Sequence, residues 1–170
     1  MKTQFSVRAR AGFTLIEMLV TITIVVILAG LSLGGFKYVS GKQAMEQSRI
    51  QLSLLEKAIE EYKLDNGEYP PAPTAPTIEN GNTNILYKEL YLDGKKTPNT
   101  DKIYLAELDP NNRQGWIIGS EASAKIVDPW GKEYQYKAPG SHNPDFDLHS
   151  YGADGKTGGN KYSQDDIKNW

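Results

Sequence analysis

Apolar and polar positions change their spacing several times along this chain of 170 residues. From Phe13 to Phe36 the run is apolar on every helical face for 24 residues, and Glu17 is its one charged position. As a helix it reaches about 36 Å, enough to cross a hydrocarbon core of about 30 Å. Helices buried in soluble cores rarely stay apolar all round for so long, so the pattern predicts a membrane span. Beyond Phe36 the spacing becomes amphipathic. Ile50, Leu54, Ala58 and Tyr62 recur every four residues with Leu55 and Ile59 beside them, while Glu56, Lys57, Glu60, Glu61 and Lys63 take the other positions. One helix is predicted from Phe13 to Asp65. Asn66-Gly67 caps it and Pro70-Pro71 forbids its continuation. Gly34-Gly35 and Ser40-Gly41 weaken it from within, at about 1 kcal/mol per glycine relative to alanine.

After Pro70 the helical period is lost. "PPAPTAPTIENGNTN" reads as an exposed loop, and "NILYKELYLDG" as a short helix with Ile85, Leu86 and Leu90 inward and Gly94 closing it. "GWIIGS", "KEYQYKA" and "FDLHSYG" read as strands, the second with Glu133, Gln135 and Lys137 on its polar face. Turns at Asp128-Pro129-Trp130-Gly131 and Pro139-Gly140 separate them, which predicts an antiparallel sheet of about three strands. The amphipathic half of the long helix is the large apolar surface available to cover that sheet. The fold class is therefore α+β: a long N-terminal helix, first transmembrane and then amphipathic, packed on a small antiparallel sheet. The divisions are residues 1–12 as a leader, 13–36 as the span, 37–66 as the amphipathic continuation, and 67–170 as the globular part.

Charge orients the span. Lys2, Arg8 and Arg10 precede it with no acid among them, which holds the N-terminus in the cytoplasm and sends residues 37–170 outward. A secretory signal peptide also begins with a basic region, and composition leaves open an ordinary cut near Ala29 and Gly30. Nothing in secretion calls for Glu17, however, and an acid costs about 2.5–3.5 kcal/mol at the centre of a membrane helix.

The stretch "RARAGFTLIEMLV" resembles the class III leader of the type IV pilin and pseudopilin superfamily: a basic leader ending in Gly12, then Phe13, then an acid as the fifth residue after the cut. The resemblance implies cleavage between Gly12 and Phe13 by a prepilin peptidase, N-methylation of Phe13, and retention of the apolar segment. It also implies that Glu17, about 6 Å along the helix from the new N-terminus, meets the terminal amine of a neighbouring copy in a filament. Family members often carry a proline near Gly34, which this chain lacks; the glycines there are expected to loosen the helix in its place. Removing Lys2, Arg8 and Arg10 leaves 16 basic against 21 acidic side chains, so the formal charge moves from −2 to −5. Nothing in that balance suggests nucleic acid. There is no cysteine, so the exported part does not depend on disulfides.

Three later segments, "YKLDNGEYP", "DPWGKEYQYKAPG" and "DFDLHSYGADGKTGG…DDIKNW", together and in this order resemble the major, G-type pseudopilins of type II secretion systems. Residues 71–127 depart from that pattern, lacking a clear "TTEQGL" segment and carrying extra residues. On spacing alone, Asp154-Gly155 reads as a turn and the Asp165-Asp166 pair as a helix cap or a solvated pair. The resemblance implies a calcium loop instead, with side chains from Asp154, Asp165 and Asp166 and main-chain oxygens near Tyr151, Lys156 and Ser163. Hard oxygen donors on glycine-rich chain suit calcium better than magnesium, which demands stricter geometry.

Other groups read as structural. His142 and His149 lack a spaced ligand partner, Asp145 and Asp147 have no sugar cleft around them, and Trp116, Trp130 and Trp170 are core or interface anchors. No phosphate loop or nucleophile elbow is present, so the chain is not read as an enzyme. What the resemblance implies is a structural subunit that assembles through its N-terminal helix into a periplasmic pseudopilus and drives folded proteins across the outer membrane. It would sit in the inner membrane as a single-pass protein with its C-terminal part in the periplasm. Its partners would be other copies, the prepilin peptidase, the minor pseudopilins and the inner-membrane assembly platform. The alternatives are a type IV pilin, a minor pseudopilin, or a membrane-tethered binding or catalytic domain.

Overall fold

A computed structural model describes residues 13–72, 83–96, 102–120, 123–156, 158 and 163–170, with the side chains of 32–38 and 95–96 left aside. Helix α1 runs from Leu15 to Asn66. Its backbone is helical through Gly34-Gly35 and Ser40-Gly41, so the expected loosening does not break it. Gly67 ends it with a left-handed φ of 81° and a 2.7 Å bond from its N–H to the Lys63 carbonyl, the cap expected from Asn66-Gly67. The chain divides into two compact units, Met1–Ser40 and Gly41–Trp170.

In the first unit every described side chain from 13 to 31 is exposed, including Leu15 at 84% and Leu31 at 71%. The hydroxyls of Thr21 and Thr23 donate to the carbonyls of Met18 and Leu19, so the helix satisfies them itself and the stretch is less polar than its composition. Among the described residues no helix is long and apolar enough to cross a membrane. The described apolar stretch, 15–31, is 17 residues and about 26 Å long, short of a hydrocarbon core of about 30 Å.

In the second unit α1 buries Ser48, Gln51, Leu52, Leu55, Ala58 and Ile59. Ile50, expected inside, is 60% exposed. The inward face is turned so that two polar residues lie on it, and both have a partner. Tyr134 Oη lies 2.9 Å from Gln51 Oε1 and 3.0 Å from Ser48 Oγ, in a fully buried contact between α1 and the strand region. A buried tyrosine needs such acceptors, and the helix supplies them where a purely apolar face would not.

The short helix is longer and less regular than expected. Helix α2, Thr83–Tyr87, passes into one π turn, Lys88–Leu92, and then into α3, Asp93–Lys96. Leu86 and Leu90 are buried as expected, whereas Ile85 is only half-buried. The π turn leaves the Leu90 carbonyl to accept the N–H groups of Tyr104 (2.9 Å) and Leu105 (3.3 Å). Gly94 is internal to the helix and does not close it. A Cβ there would lie 2.5 Å from the Lys102 carbonyl, so glycine is what lets the returning chain pack against α3.

The strands form two sheets, not one. Strands β1 (Ile117–Ile118) and β2 (Lys125–Ile126) pair antiparallel. Strands β3 (Gln135–Lys137), β4 (Asp147–Ser150) and β5 (Ile167–Lys168) make a three-stranded antiparallel sheet in that order. "GWIIGS", "KEYQYKA" and "FDLHSYG" contain β1, β3 and β4; β2 and β5 are too short to show a period. Gln135 is buried at 5%, not on a polar face, and the tyrosines on either side of it are buried too. The bridge Val127↔Glu133 connects the two sheets across the Asp128–Gly131 turn. Leu52, Leu55 and Ile59 of α1, Leu86 and Leu90 of the short helix, Ile126, Tyr134, Tyr136 and Leu148 share one core.

Candidate assembly and metal-binding sites

Gly12 lies outside the described residues, so the geometry begins at Phe13, whose ring is 73% exposed. Thr14 and Glu17 then form a reciprocal cap. Glu17 N–H donates to Thr14 Oγ1 at 3.3 Å, while Thr14 N–H and Oγ1–H both donate to Glu17 Oε2 at 3.1 Å. This is the Thr-x-x-Glu capping box, which satisfies helix N-terminal donors that would otherwise be orphaned, with a negative charge at the positive end of the dipole. The family resemblance gives Glu17 a neighbouring subunit; the local cap is an additional function, carried by the spacing Thr14-Leu15-Ile16-Glu17. The cap's hydrogen bonds to the carboxylate both fall on Oε2.

The globular end is organised by a chain of buried polar groups. Asp128 Oδ1 accepts the N–H groups of Trp130 (3.0 Å) and Lys132 (2.9 Å), which fixes the Asp-Pro-Trp-Gly turn. Its Oδ2 accepts the hydroxyl of Ser150, and Ser150 Oγ in turn accepts the N–H of Gly152 at 3.0 Å. Burial pushes the Asp128 carboxyl up, against the opposing pull of these donors. The turn is thereby bonded to the first residues of the terminal acidic loop. A Cβ on Gly155 would lie 2.9 Å from the Lys132 side chain, so turn and loop also touch directly.

Within that loop the structure brings Asp154 and Asp165 together. Asp154 N–H donates to Asp165 Oδ2 at 3.0 Å, and Lys156 N–H donates to Asp154 Oδ1 at 2.8 Å. Gly152, with φ at 64°, is what permits the closure: a Cβ there would stand 2.3 Å from the Asp165 carbonyl oxygen. The Asp166 side chain is fully enclosed and its Oδ2 lies 3.2 Å from Lys168 Nζ. Tyr151 is buried and Ser163 half-buried, while 157 and 159–162 lie outside the described residues. No group of three acids or histidines close enough to hold a metal occurs among the described residues. The donor chemistry still fits a hard cation in part: the Asp165 carboxylate lies on the Asp154 backbone N–H, and both residues are at least partly exposed on a loop closed by glycine.

His149 is mostly enclosed between Tyr151 and Trp170, with edge-on ring contacts at 5.1 and 5.4 Å. Burial pushes its pKa down to about 4, so the ring is neutral at physiological pH. His142 stacks on Trp170 at 4.5 Å and 5°. Both histidines are packing groups, as expected. Trp116 is buried, Trp130 is half-buried, and Trp170 keeps 44% of its surface.

The three segments carrying the resemblance are thus joined in space. A family model described as "Type II secretion system (T2SS), protein G" matches residues 78–170, and one described as "Prokaryotic N-terminal methylation motif" matches residues 7–33. The chain is 34% identical over 163 residues to a type II secretion system core protein G of Pseudomonas aeruginosa, covering 96% of each sequence. It is 32% identical to proteins of the same description from Escherichia coli K12, covering 94% of this chain and 90% of the relative, and from Vibrio cholerae, covering 96% and 93%.

Proposed function

We propose, from the premise that this chain belongs to the type II secretion system protein G family, how its residues serve the role of that family. The protein is a structural subunit of the secretion pseudopilus. Its apolar segment anchors it in the inner membrane in a single pass, with the Gly41–Trp170 unit in the periplasm. A prepilin peptidase cuts between Gly12 and Phe13, and Phe13 is then N-methylated. Copies associate through α1, Glu17 meeting the amine of a neighbouring Phe13, and the filament acts with minor pseudopilins and the inner-membrane platform on folded cargo.

The observation that carries this reading is the exposed, locally satisfied apolar helix capped by Thr14 and Glu17. An apolar helix whose described side chains from 13 to 31 are all exposed, headed by an acid, suits a membrane and then other helices. Glu17→Val tests it. Insertion should be retained while sheared filaments and secretion are lost; normal filaments from this variant would refute the assigned role.

Calcium belongs to the same proposal. Asp154 and Asp165 would hold it, with Asp166, Ser163 and the backbone oxygens of Tyr151 and Lys156 as the remaining candidates. Bound calcium would neutralise carboxylates that otherwise repel one another. Support comes from the Gly152 closure and the bond from the Asp154 N–H to the Asp165 carboxylate. Calcium should raise the melting midpoint more than magnesium at equal concentration, and Asp154→Ala should abolish that difference. Coincident melts with calcium and with chelator would refute it.

A further inference from the structure

The terminal loop carries a cation of its own. Lys168 stands two residues after Asp166, a spacing that puts two side chains on one side of an extended chain. Its ammonium lies 3.2 Å from Asp166 Oδ2; the Asp166 side chain has no exposed surface, while that of Lys168 keeps 28%. The same Nζ lies 5.6 Å from the centre of the Trp170 ring. A carboxylate taken wholly out of water is heavily penalised unless a counter-charge stands beside it, and Lys168 supplies that charge. The charge of Asp166 is also felt within the loop: burial, and then Asp166, push the Tyr151 phenol up.

One enclosed carboxylate cannot serve two cations at full strength. On the calcium reading above, Asp166 is a candidate ligand, so a metal ion entering the loop would meet an oxygen already held by an ammonium. That ammonium has somewhere else to go. Asp166 and Lys168 line an open groove of about 690 Å³ whose opposite wall is α1, with Arg49 and Glu56 on it. Glu56 is half-buried and makes no ion pair among the described residues. Burial, and then Glu60, push its carboxyl up, so a cation arriving in the groove would relieve it. The flexible four-carbon stem of a lysine allows such a change of partner.

We propose that Lys168 is a built-in competitor for calcium: its ammonium neutralises Asp166 while no metal is bound and gives that carboxylate up when calcium enters the loop. The proposal rests on the calcium reading above and deepens it, because affinity is then set by an exchange of cations. A pair closed about nine-tenths of the time weakens apparent binding about tenfold. The test is a calcium titration of the full-length chain in detergent. Lys168→Met should bind calcium about tenfold more tightly than the unaltered chain, whereas Lys168→Arg, which keeps the cation, should bind it as the unaltered chain does. Lys132→Met removes a cation that lies beside Gly155 and makes no ion pair among the described residues, and should change affinity about twofold at most. A tenfold gain in Lys132→Met or Lys168→Arg as well overturns the exchange. In chelator, Lys168→Met should melt below the unaltered chain, since Asp166 is left enclosed without a counter-charge, and saturating calcium should close that gap. A gap of equal size in both conditions marks a plain structural ion pair and overturns the proposal. If Lys168→Met does not fold, the unaltered chain decides: acetic anhydride should modify Lys168 severalfold faster with calcium than with chelator, as mapped by peptide mass, and an unchanged rate overturns the exchange. Equal affinity of Lys168→Met and the unaltered chain overturns the exchange and leaves the calcium reading standing; calcium binding by neither overturns that reading itself.

Discussion

Replacing Asp147 by asparagine should unfold the globular unit many degrees earlier. Asp147 opens β4 and is 7% exposed at its side chain. Its carboxylate gathers the preceding turn, accepting N–H groups from Ser141 (2.6 Å), His142 (3.1 Å) and Asn143 (2.8 Å). Gly140 is part of the same packing, since a Cβ there would lie 2.6 Å from Asp147 Oδ1. Burial alone would raise this carboxyl, but the three N–H donors and the His142 ring outweigh it and hold its pKa below the usual aspartate value. Hydrogen bonds to a charged acceptor contribute about 1.5–3 kcal/mol each. An amide keeps one acceptor and turns an NH₂ toward donors, so the net loss for Asp147→Asn is about 2–4 kcal/mol. At about 3–4 °C per kcal/mol for a unit of this size, the midpoint should fall by roughly 6–16 °C. Circular-dichroism melts of the Gly41–Trp170 unit at pH 7 read this directly. The sign with pH follows from the depressed pKa. The carboxylate's contribution is complete above the unfolded value of about 3.9 and is lost as pH falls through the lower folded value, so the gap between wild type and variant should close in acid. Equal melts at neutral pH, or a gap that persists unchanged in acid, would refute the charge-assisted cradle.

Tyr134→Phe should cost about 1–3 kcal/mol, because Gln51 and Ser48 are left buried without their hydroxyl partner; a chemical-denaturation curve unchanged in midpoint would contradict that contact. Gly152→Ala should both destabilise the unit and free the terminal loop, since the new Cβ meets the Asp165 carbonyl and the backbone there is left-handed. Faster amide exchange at Asp154 is the expected signature, and retained protection would refute the closure.

How much of this was legible in the sequence depends on the range of the interaction that decided each feature. The cap at Gly67 and the turn at Asp128–Gly131 rest on contacts within four residues, and both stand where the residues place them. Ile50 and Gln135 went the other way. Helical spacing put Ile50 inside, but the face is set by Tyr134, more than eighty residues distant, which draws Ser48 and Gln51 inward. Alternation put Gln135 outside, but both sides of β3 are covered. Strands β2 and β5 are two residues each, too short to carry a period. In the terminal loop the proximity of Asp154 to Asp165 was implied by the family resemblance alone, since spacing reads these acids as a turn and a solvated pair; the pairing of Asp166 with Lys168 is a contact only two residues apart. The Thr14–Glu17 cap was local and readable from its spacing alone.

On the proposed assembly, the Thr14–Glu17 cap would change what association of the helices consists of. The carboxylate of Glu17 is already engaged, within its own chain, by the backbone and hydroxyl of Thr14. If the subunit sits in the bilayer as proposed, its acid would meet a neighbour with one oxygen already hydrogen-bonded by its own chain. If Glu17 meets a neighbour's amine as proposed, joining would be an exchange in which the incoming amine competes with an internal donor, and only the difference between the two bonds would favour that contact. On that reading a small difference would keep both addition and loss of subunits accessible.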